Sequence, residues 1–214
     1  MSYAGLYAAK RLGARIGLAV FLTCVVPAAL LAQSYISKDR DYFVAASDPE
    51  AYRDLHLIED AHMEKVVMWI REDKYHNAIA ELQFTLDRFP NHPKALAFIE
   101  TVARMTNIPT LPLIYYDKAI SIYPEYALTH GQYGHYLLEI GKTDLAINKL
   151  LQAIKISPKW PLPHAWLAEA YVKIGKDDLA QKSREDARAL GYKGDFNGTS
   201  QKAPSKESGE RESR

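Results

Sequence analysis

Cysteine is almost absent from this 214-residue chain. Cys24 stands alone, so no internal disulfide can form, and its place inside an apolar run gives it no thiol chemistry. An excess of charge is lacking as well. Lys and Arg number 27 against 26 for Asp and Glu, which excludes the basic footprint of a general nucleic-acid binder. There is no HExxH, no Cys–His metal spacing, no glycine loop for a nucleotide and no nucleophile elbow. The sequence holds no catalytic constellation, so neither an enzyme nor a bound cofactor or metal is expected.

Long hydrophobic runs are also scarce, with one exception near the amino terminus. Residues 16–32, IGLAVFLTCVVPAALLA, carry no charge and follow Lys10, Arg11 and Arg15. A membrane helix needs about 17–25 apolar residues, and Gln33 to Ile36 could extend the run through the interface. The competing reading is a signal peptide, but the small-residue cleavage sites at Ala28 and Ala32 are poor. We expect 1–15 to be a basic segment and 16–36 a transmembrane signal-anchor. Three basic residues before the run against Lys38 and Arg40 after it place the remainder of the chain outside the cytoplasm. Residues 37–58 read as a polar spacer and a leading helix that starts at Ser47 or Asp48, followed by Pro49 and Glu50. That helix is expected to run to about Glu72. Residues 193–214 have almost no apolar side chains and are expected to be a disordered tail.

What the chain does have is a period. Pro90, Pro124 and Pro158 are spaced 34 residues apart, and the next step falls on Tyr192 after Gly191. Gly141 then aligns with Gly175, Ala78 with Ala146 and Ala180, and Ala119 with Ala153 and Ala187. The unit resembles the tetratricopeptide repeat, a 34-residue helix–turn–helix module. The resemblance implies an all-α, right-handed α-solenoid of four helix pairs over residues 59–192, in frames 59–92, 93–126, 127–160 and 161–192. It covers Glu59 to Tyr192, strongly in the last two frames, fairly in the first and weakly in the second.

Each unit of such a stack needs small side chains at its eighth and twentieth places, where helix A crosses helix B. Val66 with Ala78, Gly134 with Ala146 and Ala168 with Ala180 meet that need. Trp69, Leu82, Tyr133, Leu137, Leu150, Leu167 and Tyr171 are expected to fill the space between units. The second unit departs, with Glu100 and Pro112 at the crossing and two prolines in TNIPTLP. Its helix A should end near Met105 and its helix B should begin near Leu111 or Pro112. In the fourth unit Arg184, with Lys182, Asp186 and Arg188, gives helix B the polar outer face of a terminal repeat, so the array should end near residue 192.

The resemblance also implies where a ligand lies, along the concave face of the A helices at positions 2, 5, 9, 12 and 13. The first unit offers Asp60, Met63, Val67, Ile70 and Arg71, and the second Lys94, Ala97, Thr101, Arg104 and Met105. The third offers Leu128, Gly131, His135, Leu138 and Glu139, and the fourth Leu162, Ala165, Glu169, Val172 and Lys173. This mixture suits a protein or peptide partner held by apolar anchors, not a nucleic acid. It lacks the Lys and Asn that clamp the acidic termini of chaperones. The rival reading of the face is that some of it packs against the 49–58 helix or a second copy of the chain. His62, His130 and His164 share the fourth position of their units, which points to hydrogen-bonded packing in preference to metal binding. The functional expectation is a membrane-anchored scaffold in bacterial envelope assembly, with the repeats on the periplasmic side of the inner membrane. A permanent subunit of a membrane complex and a secreted protein released by signal cleavage are its rivals.

Overall fold

The computed structural model describes residues 39–196, in which helices account for all regular structure. The basic segment, the anchor expected over 16–36 and the tail beyond Phe196 lie outside the described residues. Among the described residues, no helix is long and apolar enough to cross a membrane.

A 3₁₀ turn, Tyr42–Ser47, leads into α1, Pro49–Leu57. Asp48 caps α1 by accepting from the backbone N–H groups of Glu50 and Ala51. The helix continues as expected, but through a π segment, Ile58–His62, before α2, Met63–Arg71. Nothing local in the sequence signals that wide turn. Then follow α3 (Tyr75–Arg88), α4 (Pro93–Thr106), α5 (Leu113–Ile122), α6 (Ala127–Glu139), α7 (Thr143–Ile156), α8 (Pro161–Lys173) and α9 (Asp177–Ala189). The helices succeed one another as pairs: α2 with α3, α4 with α5, α6 with α7, and α8 with α9.

The 34-residue period is written into the turns. Asp73, Asn107, Gly141 and Gly175 hold the same place in successive units, and all four are left-handed, with φ of 55°, 55°, 77° and 69°. The next residue then donates its N–H back across the turn. The bonds are Lys74 to Trp69 O (2.8 Å), Ile108 to Ala103 O (2.9 Å), Lys142 to Leu137 O (2.8 Å) and Lys176 to Tyr171 O (2.9 Å). This closure satisfies carbonyls that the end of an A helix would otherwise leave open. The B helices α3, α5 and α7 end two residues before Pro90, Pro124 and Pro158.

Packing follows the crossing residues. Val66, Ala78, Ala146 and Ala180 are wholly buried and Ala168 nearly so. At Gly134 an added Cβ would sit 2.7 Å from Leu150 Cγ, so only glycine lets α6 and α7 approach this closely. In the second pair the backbones stay apart. Helix α4 ends at Thr106 and α5 starts at Leu113, close to where the two prolines of TNIPTLP put the break. The space between them is filled by Tyr116, fully buried, whose hydroxyl donates to Glu100 Oε1 at 2.5 Å. The Tyr116 ring also stacks on Tyr133 of the next unit, with centroids 4.7 Å apart. An aromatic–carboxyl pair thus replaces the close backbone crossing. Leu82, Leu86, Phe89, Leu96 and Ile99 make the core between the first two pairs, and each contributes about 1.5–3 kcal/mol by burial.

The spacer expected at the start of the domain is corrected by the structure. Residues 39–48 are docked onto the turns that join successive pairs. Asp41 accepts from Asn91 Nδ2 at 2.7 Å and from the Tyr126 hydroxyl, and Asn91 Oδ1 accepts from the Tyr42 N–H at 2.9 Å. Phe43 stacks on Tyr126 with centroids 4.3 Å apart. Arg40, 7% exposed, is paired with Glu50 at 2.8 Å and Asp54 at 3.1 Å. Asp54 also accepts from Arg88 Nε at 2.8 Å. A buried guanidinium is tolerable only with such partners. At the other end, Phe196 lies beside Tyr192 (5.1 Å between centroids) and under the Arg188 guanidinium.

Candidate functional site

The A helices carry the residues expected to form one binding face, and the structure brings most of them together in two zones. In the first, α2 and the start of α4 border an open groove of about 600 Å³. Its lining is Glu59, Met63, Glu64, Val67, Met68, Arg71, Glu72 and Lys94. Lys94 lies 3.5 Å from Glu59, whose other oxygen faces His92 Nε2 at 3.2 Å. His92 is fully buried, accepts from the Ala95 N–H at 3.2 Å and so caps α4. Burial lowers its pKa, with Glu59 opposing that shift. Glu72 pairs with Lys74 at 2.7 Å.

The second zone is a polar ladder across α4, α6 and α8. Arg104 donates to Glu139 Oε2 at 2.8 Å and lies 3.7 Å from Glu100, while Thr101 accepts from its other arm at 3.4 Å. His135 lies 3.7 Å from Glu139, and Lys173 lies 3.6 Å from Glu169. Lys173 also donates to Leu138 O at 3.5 Å. Burial pushes the Glu100 carboxyl up to about 7, against the opposing pull of Tyr116 and Arg104. Burial also lowers the His135 pKa, opposed by Glu139 and Glu169.

Two expected contact residues belong to the core. Met63 and Leu138 are each 1% exposed, so Met63 only edges the groove floor and Leu138 offers almost nothing to a partner. Met63 holds the fifth place of its unit, where Gly131 and Ala165 are also buried because that side turns toward the following unit. Leu138 is covered from the fourth unit, where Lys173 bonds its carbonyl. Val67, Ile70, Thr101, Leu128 and His135 are half-buried. Arg71, Lys94, Arg104, Glu139, Glu169, Val172 and Lys173 are exposed.

Several neighbours of this face went unseen in the sequence pattern. Glu64, Met68 and Glu72 line the groove from places that the repeat pattern does not assign to ligands. Trp166 lies 4.6 Å from His135 and meets Trp160 edge-on at 5.9 Å. Trp160 in turn packs so tightly on Gly131 that an added Cβ would fall 2.5 Å from its ring.

The fourth-place histidines have structural partners. The ring Nε2 of His130 meets Pro124 O at 2.9 Å, and that of His164 meets Pro158 O at 3.2 Å. Each tethers its helix A to the turn before it. His62 instead meets Glu81 at 2.6 Å. Among the described residues, no group of three or more His, Cys, Asp or Glu is placed to hold a metal ion.

Comparison with known proteins agrees with this architecture. A family model for the TPR repeat matches residues 134–175, from the middle of α6 through α7 to the end of α8. No curated protein matches the chain. Among solved structures, that of a MamA protein superimposes with a TM-score of 0.50 at 17% identity, covering 63% of this chain and 74% of the other. The pilF protein of Pseudomonas aeruginosa gives 0.50 at 21% identity, covering 63% of this chain and 61% of its own. A thermophilic TPR protein of Thermus thermophilus gives 0.47 at 19% identity, over 62% and 74% of the two chains, too distant to add to the argument. At these identities the likeness is one of fold. The repeat match over residues 134–175 and the shared fold agree on stacked helix pairs of the tetratricopeptide-repeat kind.

Proposed function

We propose that this chain is a non-catalytic scaffold of four tetratricopeptide repeats that holds a protein or peptide segment along its A helices. Residues 16–36 anchor it in the membrane, and the repeats work on the periplasmic side of a bacterial inner membrane in assembling an envelope complex. The observation that supports the reading is the convergence of Thr101, Arg104, His135, Glu139, Glu169 and Lys173, drawn from three units, into one polar ladder, together with an open groove of mixed apolar and charged lining along α2. Arg104 and Glu139 neutralise each other between units, as do Glu59 and Lys94. A face so balanced selects its partner by apolar anchors and shape more than by net charge, which suits an extended or helical peptide. The anchoring rests on the uncharged run at 16–32 and the basic residues before it.

The test is a crosslinking pulldown from native membranes with a carboxy-terminal tag, recording the size of the mature chain and what accompanies it. A full-length chain with one dominant partner is expected. A shortened, freely soluble chain with nothing bound would overturn both the anchor and the scaffold.

A further inference from the structure

Among the described residues the stack has an uncovered end, and its chemistry is self-complementary. The tenth place of each A helix faces the preceding unit. Val102 and Ala170 are fully buried there, and Tyr136, 1% exposed, reaches back to donate to Pro109 O at 2.9 Å. In the first unit the same place holds Met68, which is 40% exposed. No pair precedes α2 among the described residues, since α1 continues into α2 and its ion pairs run to Arg40 and Arg88.

Two charges flank Met68 on the same side of α2. Glu64 and Arg71 are seven residues apart, two turns or about 10 Å along the helix, and both are exposed. Both line the groove, and neither side chain has an ion pair or hydrogen bond among the described residues. The other charges of the groove, Glu59, Glu72 and Lys94, are all paired. Glu64 lies three residues before Val67, and Arg71 three after Met68. When two copies of α2 pack antiparallel about a two-fold axis between Val67 and Met68, Glu64 of each falls opposite Arg71 of the other. The two Met68 side chains then meet at the centre, covering each other as a preceding unit would.

We infer that this end of the stack is a homodimer surface, in which a second copy of the chain supplies the missing neighbour through a two-fold α2–α2 contact. The arrangement is isologous, so one patch serves both subunits and the assembly closes at two. The chain's formal charge of +1 raises no long-range repulsion between copies. One helix pair makes an interface at the small end of the scale, below about 1,200 Å², which fits a reversible dimer in the micromolar range. The inference does not depend on what occupies the rest of the A-helix face.

The test is sedimentation of the full chain in mild detergent from about 1 to 100 µM. Wild type is expected to show a monomer–dimer equilibrium. Glu64→Arg alone or Arg71→Glu alone sets like charges opposite each other and should weaken the dimer by about tenfold or more. Mixing the two single variants, or combining both changes in one chain, restores opposite charges and should restore dimerisation. Both sites are exposed, and circular dichroism checks that the variants remain folded. A wild-type chain that stays monomeric, or a dimer whose strength is unchanged by the single swaps, would overturn the inference. Neither outcome touches the scaffold reading, which the pulldown addresses separately.

Discussion

Glu100 makes the splayed second pair sensitive to pH. Its carboxyl sits at a helix crossing where the other units place Val66, Gly134 or Ala168, and burial pushes it up to about 7 from an ordinary value of 4.5. A raised carboxyl pKa means that the folded chain holds the proton more tightly than the unfolded one. The associated stability is therefore fully present below pH 4.5 and is lost as pH rises through about 7. At about 1.4 kcal/mol per pH unit, that displacement is worth about 3 kcal/mol. The side chain is only 12% exposed, so solvent screening removes little of it. Burial lowers the pKa of His92, His130 and His135, which acts in the opposite sense, adding stability as pH rises toward 6.5. The net pH profile of the wild type thus mixes the two, and a variant is needed to separate them. Glu100→Gln keeps an oxygen to accept from Tyr116 and removes the titration. Urea unfolding of the full chain, followed by circular dichroism between pH 5 and 8, should show the variant close to wild type at pH 5. By pH 8 it should be more stable by about 3 kcal/mol. A variant that parallels the wild type at every pH, or is less stable at pH 8, would refute the burial argument and show that the charged carboxylate is what Arg104 and Tyr116 stabilise.

Three further outcomes follow from the packing. Gly131→Ala should cost about 1–3 kcal/mol in thermal unfolding, because the new Cβ displaces the Trp160 ring, and it should shift the tryptophan fluorescence. Asp41→Ala leaves Asn91, fully buried, without its acceptor and should cost about 1–3 kcal/mol, with faster hydrogen exchange at Tyr42 and Phe43. Asn107→Gly relieves a left-handed residue at the end of α4 and should stabilise by a few tenths to about 1 kcal/mol in the same unfolding assay.

The regular parts of the fold could be read from the chain because they depend on local, repeated chemistry. Proline ends α3, α5 and α7, and Gly141 and Gly175 mark left-handed turns. Alanine and glycine at the crossings carry the same message in each frame. Even the irregular second pair was visible, since Glu100 and Pro112 break a pattern that the neighbouring units keep. The features that stayed hidden depend on partners far away in sequence. Residues 39–48 look like a polar spacer, yet Arg40 and Asp41 are held by Asp54, Asn91 and Tyr126. Composition carries no record of such contacts. The π segment at Ile58–His62 has no residue signature at all. Among the residues expected to face a partner, Met63 and Leu138 lie in the core, because burial depends on the following unit's side chains as well as on helical phase. Trp160 and Trp166 were missed for the same reason, as they reach the face from the neighbouring turn and helix.

The central claim is that a partner lies along the A helices, and site-specific photo-crosslinking tests it most directly. A photoreactive residue placed at Thr101 or Val172, away from the α2–α2 contact, probes that face, and one at Gln83 or Leu151 probes the exposed side of the B helices α3 and α7. The account predicts adducts to one partner from the first set and none from the second. Adducts confined to Gln83 and Leu151 would contradict it.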